Sequence, residues 1–416
     1  MAGALPTRDD CAALDRADNL ARHRAAFALP EEVIYLDGNS LGARPRAVLA
    51  RVAEVVEAEW GQDLITSWNR HGWIDLPLKV GDKIARLIGA EPGEVAVADS
   101  TSINLFKALA AALRMRSGRT VVLSERDNFP TDLYTAEGVI ELLGGRHRLH
   151  LADAAGLIDA IDGETACVLL THVNYRTGAM HDMAAITRAA RERGAFMLWD
   201  LAHSAGAVPV DLNAAGADFA IGCGYKYLNG GPGAPAFIFV PRRHQTEFAQ
   251  PLTGWLGHAE PFAFGPTFRP AAGIARALCG TPPVLSLAAL EVGVDTVLAA
   301  DLAALRAKSM ALGDLFIRLV EEQGGAGFGL RLASPRDAAH RGSQVSFHHA
   351  HGYPVMQALI ARKVIGDFRA PDLLRFGFAP LYLRYVDIWD AAAALIEILQ
   401  TGGWDRPEFK RRATVT

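Results

Sequence analysis

The chain has 416 residues, half of them hydrophobic and 21% charged, which suits two or three folding units and excludes disordered, collagen-like and coiled-coil proteins. Lysine and arginine number 42 against 46 acidic residues, a net charge of −4, so no global positive field attracts nucleic acid or anionic lipid. Cys11, Cys167, Cys223 and Cys279 form no CxxC pair, charges interrupt the N-terminus, and no apolar run approaches about 18 residues, so a reduced cytoplasmic protein that neither spans a membrane nor binds nucleic acid is expected.

Before residue 60 there is one strand pattern, VIYLD, followed by a glycine turn and a helical stretch, PRAVLARVAEVVEAEW, with Pro45 as its first helical residue. This segment could pack with either of two domains, and we assign residues 1–60 to the smaller. Residues 61–295 are expected to form a large α/β domain. Between about 95 and 240 the short apolar runs EVAVADS, TVVLSE, ACVLLTHVN, AFMLWD, DFAIGCG and PAFIFV alternate with helical patterns such as NLFKALAAALRM and DMAAITRAARERG. That alternation predicts a mainly parallel sheet with helices on its faces and ligands at the carboxyl ends of its strands. The Pro/Gly-rich stretch 251–283 is too long for a simple turn and suits an active-site or subunit-contact role. Residues 296–416 form a smaller α+β domain, which opens on a long Ala/Leu-rich helical pattern, DTVLAADLAALRAKSMALGDLFIRLVEEQ.

Several local patterns carry little chemistry. GNSLG matches the G-x-S-x-G of serine hydrolases, but such an elbow turns straight from serine into helix, and here Gly42, Ala43 and Arg44 intervene, which argues against Ser40 as a nucleophile. His348, His349 and His351 resemble a metal cluster by composition only, because on a strand 349 and 351 share a face while 348 points away, so no metal is expected. GCG (222–224) and GGPG (230–233) match neither a Walker loop nor GxGxxG.

WDLAHSAGAVPVDLNAAGADFAIGCGYKYLNGGPG is more informative. Asp200 closes one apolar strand, His203 follows, and Lys226 lies beyond the next strand between Tyr225 and Tyr227. An aspartate and a lysine at neighbouring strand ends can face one planar ligand, and pyridoxal phosphate suits them: the amine bonds to its aldehyde and the carboxylate keeps its ring nitrogen protonated. Read singly, Lys226 suits a surface position and Asp200 a helix cap. DSTSINLFKAL supplies a phosphate cradle, since Ser100, Thr101 and Ser102 precede a helix whose N-terminal N–H groups favour an anion. DNFPTDLY places Phe129 just beyond a strand, where its face can stack on a ring, with Asp132 three residues on.

Together YLDGNSLG, DNFPTDLY, WDLAHSAG, GYKYLNGGPG and GWLGH resemble the signature segments of the kynureninase family, fold-type-I pyridoxal phosphate enzymes, in the family's order and across nearly the whole chain. The resemblance implies a seven-stranded-type large domain, a homodimer with active sites at the subunit interface, and hydrolysis of L-kynurenine to anthranilate and L-alanine. It implies Lys226 as the Schiff-base lysine, Asp200 as the ring-nitrogen partner, and Thr101, Ser102 and Tyr225 as phosphate ligands, with Trp255 and Thr281 reaching the phosphate from the other subunit. Phe129 would stack on the ring, and Asp132, Thr171 and His203 would complete the cofactor shell. His71 and Asn174 align with substrate-side positions and Arg375 with the residue that pairs with the substrate α-carboxylate, a task for a planar guanidinium. Tyr225 is in addition a candidate proton donor. Thr281 stands where some relatives have asparagine, which bears on the preference between kynurenine and 3-hydroxykynurenine.

The alternatives divide by simple features. A cysteine desulfurase needs a cysteine in its C-terminal part, and none follows Cys279. An aminotransferase would share Lys226, Asp200 and Arg375 but respond to added keto acid. A non-catalytic binder would have less need of Lys226, a regulator built on this fold would carry a basic helix-turn-helix, and an esterase using Ser40 would react with a fluorophosphonate.

Overall fold

The computed structural model describes residues 5–413. Its strands in chain order are β1 (Ile34–Tyr35), β2 (Val95–Ala98), β3 (Val121–Glu125), β4 (Arg148–Ala152), β5 (Thr165–Thr171), β6 (Phe196–Asp200), β7 (Phe219–Gly222), β8 (Ala236–Phe239), β9 (Arg331–Leu332), β10 (Gln344–His348), β11 (Val364–Ile365), β12 (Asp367–Arg369) and β13 (Leu373–Gly377). The chain folds into two compact units: residues 47–175 and 181–295 form the larger, and residues 1–46, 176–180 and 296–416 the smaller. Residues 47–60 therefore lie with the larger unit, and 176–180 with the smaller. Among the described residues no helix is long and apolar enough to cross a membrane.

In the larger unit seven strands form one sheet in the order β2-β8-β7-β6-β5-β3-β4, with β8 antiparallel to both neighbours and the β3, β4, β5, β6 and β7 pairings parallel. This is the mainly parallel α/β sheet that the alternating runs predict. Every residue of β5, β6 and β7 is buried, so these strands read as continuous apolar runs rather than alternating ones. Helix α1 (Thr101–Met115) buries Leu105, Ala108, Leu109 and Ala112 in the main core, where each leucine contributes about 2 kcal/mol. Helices α2 (Pro130–Leu142) and α3 (Met183–Glu192) follow β3 and β5; Asp182 caps α3 by accepting from the N–H of Ala185. The helix Leu76–Ala85 packs against β2 at a glycine, because a Cβ on Gly81 would lie 2.2 Å from the Val95 carbonyl oxygen.

The smaller unit holds a four-stranded antiparallel sheet, β12-β13-β10-β9, and a parallel pair, β1 with β11. Helices α4 (Leu302–Glu322) and α5 (Tyr385–Thr401) pack together, and Phe316 of α4 meets Phe376 of β13 at a centroid distance of 4.8 Å.

Three local expectations need correction. The long helix pattern beginning at Asp295 breaks: one helix ends at Leu298, and Asp301 starts α4 by accepting from the N–H groups of Ala303 and Ala304. The helix expected from Pro45 begins at Ala47 and passes at Val55 into a π-helical turn ending at Trp60. Strand β4, RLHLA, has no counterpart among the expected runs because it is the sheet's edge, where Arg148 and His150 are exposed.

Candidate active site

A cavity of about 290 Å³ in the larger unit lies beyond the carboxyl ends of β3, β5, β6 and β7. Nine of the residues expected at the site line it: Thr101, Ser102, Phe129, Asp132, Thr171, Asp200, His203, Tyr225 and Lys226. They come together because the parallel strands point the same way, so side chains far apart in sequence end at one edge.

The anion-binding end is built by the turn from β2 into α1. Ser100 is the N-cap, its hydroxyl accepting from the N–H of Ile103, and Thr101 and Ser102 occupy the first turn, where backbone N–H groups have no intrahelical acceptor. The turn needs a left-handed residue, and Asp99 takes φ +51°. Lys107, fully buried on α1, fixes it by donating to Asp99 Oδ2 at 2.5 Å and to the Ala277 carbonyl at 2.8 Å.

Opposite, Lys226 Nζ lies 2.9 Å from His203 Nε2 and 5.7 Å from the centre of the Tyr225 ring. Gly224, just before them, allows the backbone to close, because a Cβ there would sit 2.4 Å from the Pro235 carbonyl oxygen. Phe129 begins α2 and is held edge to face by Tyr175, centroids 5.1 Å apart.

The floor is a pair of buried carboxyls. Asp200 accepts from the N–H of Ala202 at 2.7 Å and is hydrogen-bonded to Asp132, which accepts from Asn128 Nδ2 at 3.1 Å. Burial first, and then the charge of Asp200, push Asp132 well above the usual carboxylate range. Burial also raises Asp200, opposed by Lys226, the Ala202 N–H and the hydrogen bond from Asp132. Of the two, Asp132 is thus the readier to hold a proton.

Thr171 ends β5 with its hydroxyl buried and, among the described residues, without a hydrogen-bond partner, a cost of about 1–3 kcal/mol unless something else fills the role. An orphaned hydroxyl, a helix N-terminus, an amine and a pair of carboxyls around one cavity fit the phosphorylated pyridine aldehyde that the sequence suggests.

The other expected residues lie elsewhere. Trp255 lines a second concavity with His258 and Phe268 and packs on Trp68, centroids 6.2 Å apart, while Thr281 lines a third with Trp60, Trp68 and Trp73. Neither lines the cavity of its own chain. His71 pairs with Asp63 at 2.7 Å, and Asn174 donates to the Asp127 carbonyl at 3.0 Å. Arg375 belongs to the smaller unit, on β13, where Nε and Nη2 grip Asp367 at 2.7 and 2.5 Å and Nη2 also donates to Ser40 Oγ at 2.8 Å. Ser40 is thus a donor to Asp367, at 2.7 Å, rather than part of a hydrolase elbow. His348 pairs with Asp372, His349 with the Phe328 carbonyl, and His351 stacks on Trp404; among the described residues no group could hold a metal ion.

Sequence reasoning missed Tyr175, Thr131 and Val173, which also line the cavity, and Asn128 beneath it. Tyr175 and Val173 flank Asn174 just after β5, and their place at a strand end was the available signal.

Comparison with known proteins agrees with this geometry. Among solved structures, the apo cysteine desulfurase from Thermococcus onnurineus NA1 superposes with a TM-score of 0.78 at 18% identity, covering 92% of this chain and 98% of the other. The cystine C–S lyase C-DES, in complex with its reaction product cysteine persulfide, gives 0.75 at 16% identity, covering 88% and 98%. A mutant of C-DES with glycine covalently linked to its PLP cofactor gives 0.76, also at 16% identity. At such identities the likeness shows the fold alone. Residues 305–395 match the family model described as the kynureninase C-terminal domain. A kynureninase of Burkholderia pseudomallei (strain 1106a) is 59% identical over 99% of this chain and 100% of its own length, and that of Pseudomonas fluorescens is 55% identical over the same shares. Identity of that order, end to end, joins the C-terminal match and the convergent strand-end residues in one conclusion: the chain belongs to the kynureninase family.

Proposed function

We propose that the cavity is where pyridoxal phosphate is held and where L-kynurenine is hydrolysed between Cβ and Cγ to anthranilate and L-alanine. Family membership supports the reaction and the cofactor. The observation that carries the residue roles is the convergence on one cavity of the Lys226 amine, the Asp132–Asp200 pair and the N-terminus of α1. Bound there, pyridoxal phosphate supplies an electron sink for the pair released when the Cβ–Cγ bond breaks.

The chain's own residues do the rest. Thr101, Ser102 and Tyr225 hold the phosphate, Phe129 stacks on the ring, and Thr171 and His203 complete its surroundings. Charged Asp200 keeps the ring nitrogen protonated. Lys226 is the attachment point and, once displaced by substrate, the base that moves the proton at Cα; it is the one amine among the described lining residues. Tyr225 serves as a further proton donor. Arg375 takes the substrate α-carboxylate, and His71 and Asn174 serve as further substrate-side residues.

We read the protein further as a cytoplasmic homodimer. Trp255 and Thr281 support the dimer, since neither lines its own chain's cavity and each lines another concavity that a second copy could use. The test is direct. Purified protein with pyridoxal phosphate should consume L-kynurenine and release anthranilate and alanine in equal amounts, without stimulation by a keto acid, and Lys226→Ala should do neither. A cofactor-loaded protein inert towards kynurenine would refute the substrate reading.

A further inference from the structure

Asn128 lies under the cavity, 2% exposed, and lines none of it. Both ends of its amide are committed. Its Oδ1 accepts from the backbone N–H of Thr171 at 2.7 Å, and its Nδ2 donates to Asp132 Oδ2 at 3.1 Å. The first contact fixes the second: a backbone N–H can only donate, so the amide oxygen must face Thr171 and the amide nitrogen must face Asp132. The pairing of β3 with β5 runs as far as Ser124 with Leu169, and the Asn128 side chain carries that contact on to Thr171 at the tip of β5.

Asp132 Oδ2 thereby accepts from Asn128 while the same carboxyl is hydrogen-bonded to Asp200, so the clamp on one fixes its aim at the other. The groups that act on the two carboxyls from the elements around them are Asn128 after β3, the Ala202 N–H after β6, and Lys226 after β7, whose amine meets His203.

We propose that Asn128 is a positioning residue for the cofactor: it clamps Asp132 against the tip of β5, aims the Asp132 carboxyl at Asp200, and so sets the charge that Asp200 presents to the cofactor ring. The inference rests on the reading of Asp200 as the ring-nitrogen partner. Asn128→Asp is the informative change, since it keeps the shape and the acceptor for Thr171 but replaces the donor with a carboxylate oxygen. Two acceptor oxygens then face each other across Asp132, and the added negative charge favours cationic forms of the bound cofactor.

The measurement is a pH titration of the visible absorption band of the cofactor-loaded protein without substrate, together with cofactor affinity and the melting temperature of the cofactor-free form. We expect the midpoint of the Asn128→Asp titration to rise by about one pH unit or more and cofactor affinity to fall roughly tenfold. An Asn128 that served only to hold the loop would lower melting temperature and leave the midpoint in place, and that result would overturn the proposal. If Asn128→Asp does not fold, Asn128→Ser, which removes the donor to Asp132 without adding charge, is read on the same criterion with a smaller displacement. Asp200→Asn is the control for the underlying reading. If it leaves the midpoint unmoved, the assignment of Asp200 is wrong and this proposal falls with it; if it shifts the midpoint while the Asn128 variants do not, the proposal falls alone.

Discussion

The amine of Lys226 stands 2.9 Å from Nε2 of His203. The contact aims a long, flexible side chain across the cavity, so the amine is placed before any cofactor arrives. Lys226→Ala should abolish the visible cofactor band and lower kcat by at least about 100-fold. His203→Gln should retain the band and weaken cofactor binding, which a titration of apoenzyme with pyridoxal phosphate would show.

Thr171 offers a test of fit that does not need turnover. Its buried hydroxyl has no hydrogen-bond partner among the described residues, so Thr171→Val should leave the cofactor-free protein as stable as the parent or more stable by about 1 kcal/mol. The same change should weaken pyridoxal phosphate binding several-fold. Calorimetry with and without cofactor would reveal the opposed signs, and a loss in both forms would remove the hydroxyl from the cofactor shell.

The two floor carboxyls should respond unequally. Burial and the charge of Asp200 push Asp132 towards its protonated form, so Asp132→Asn replaces a neutral donor with another, whereas Asp200→Asn removes the carboxylate proposed to face the ring. We expect Asp200→Asn to lose at least tenfold more in kcat/KM than Asp132→Asn. Equal losses would mean that the charge is spread over both.

Arg375 and Asp367 are each almost fully buried, and their pairing is bidentate. Asp367→Asn leaves the guanidinium without its main counter-charge and should cost about 3 kcal/mol in stability. Arg375→Lys keeps the charge but loses the fork, and if Arg375 holds the substrate carboxylate, kcat/KM should drop roughly 100-fold, chiefly through KM. Unchanged kinetics in Arg375→Lys would assign the pair to folding alone.

Asp37 supplies a dependence on pH. Burial, and then the neighbouring Asp367, push its carboxyl up to about 7 against Arg375, which favours its charged form. An unfolded aspartate releases its proton near pH 4, about three units lower. Between those values the folded state binds more protons than the unfolded one, so stability falls as pH rises through that window. Asp37→Asn should flatten this slope and raise the melting temperature most at pH 7 and above, as thermal melts between pH 4 and 8 would show.

The chemistry of the larger unit was legible because it depends on strand ends. Asp200 and Lys226 each follow an unbroken apolar run, and parallel topology puts such positions side by side. Strand β4 was not legible, since an edge needs no apolar run and Arg148 and His150 turn to water. Nor was the partner of Arg375: Asp367 meets it across the β12–β13 pairing, a register that no local pattern encodes. Asn128 stood inside a recognised motif, but its role follows from which atoms face Thr171 and Asp132, and that is knowledge of three dimensions.

The split path of the smaller unit has a consequence for how the molecule is made. A ribosome delivers β1 long before β11, so Ile34 must wait for Val364, 330 residues on. Meanwhile the seven strands from Val95 to Phe239 are already outside and able to pair among themselves. A chain that stops before β11 therefore carries every residue lining the cavity, but it has no Arg375 and offers the first strand as an open edge for other chains. Truncation from the C-terminus should thus be felt first as aggregation.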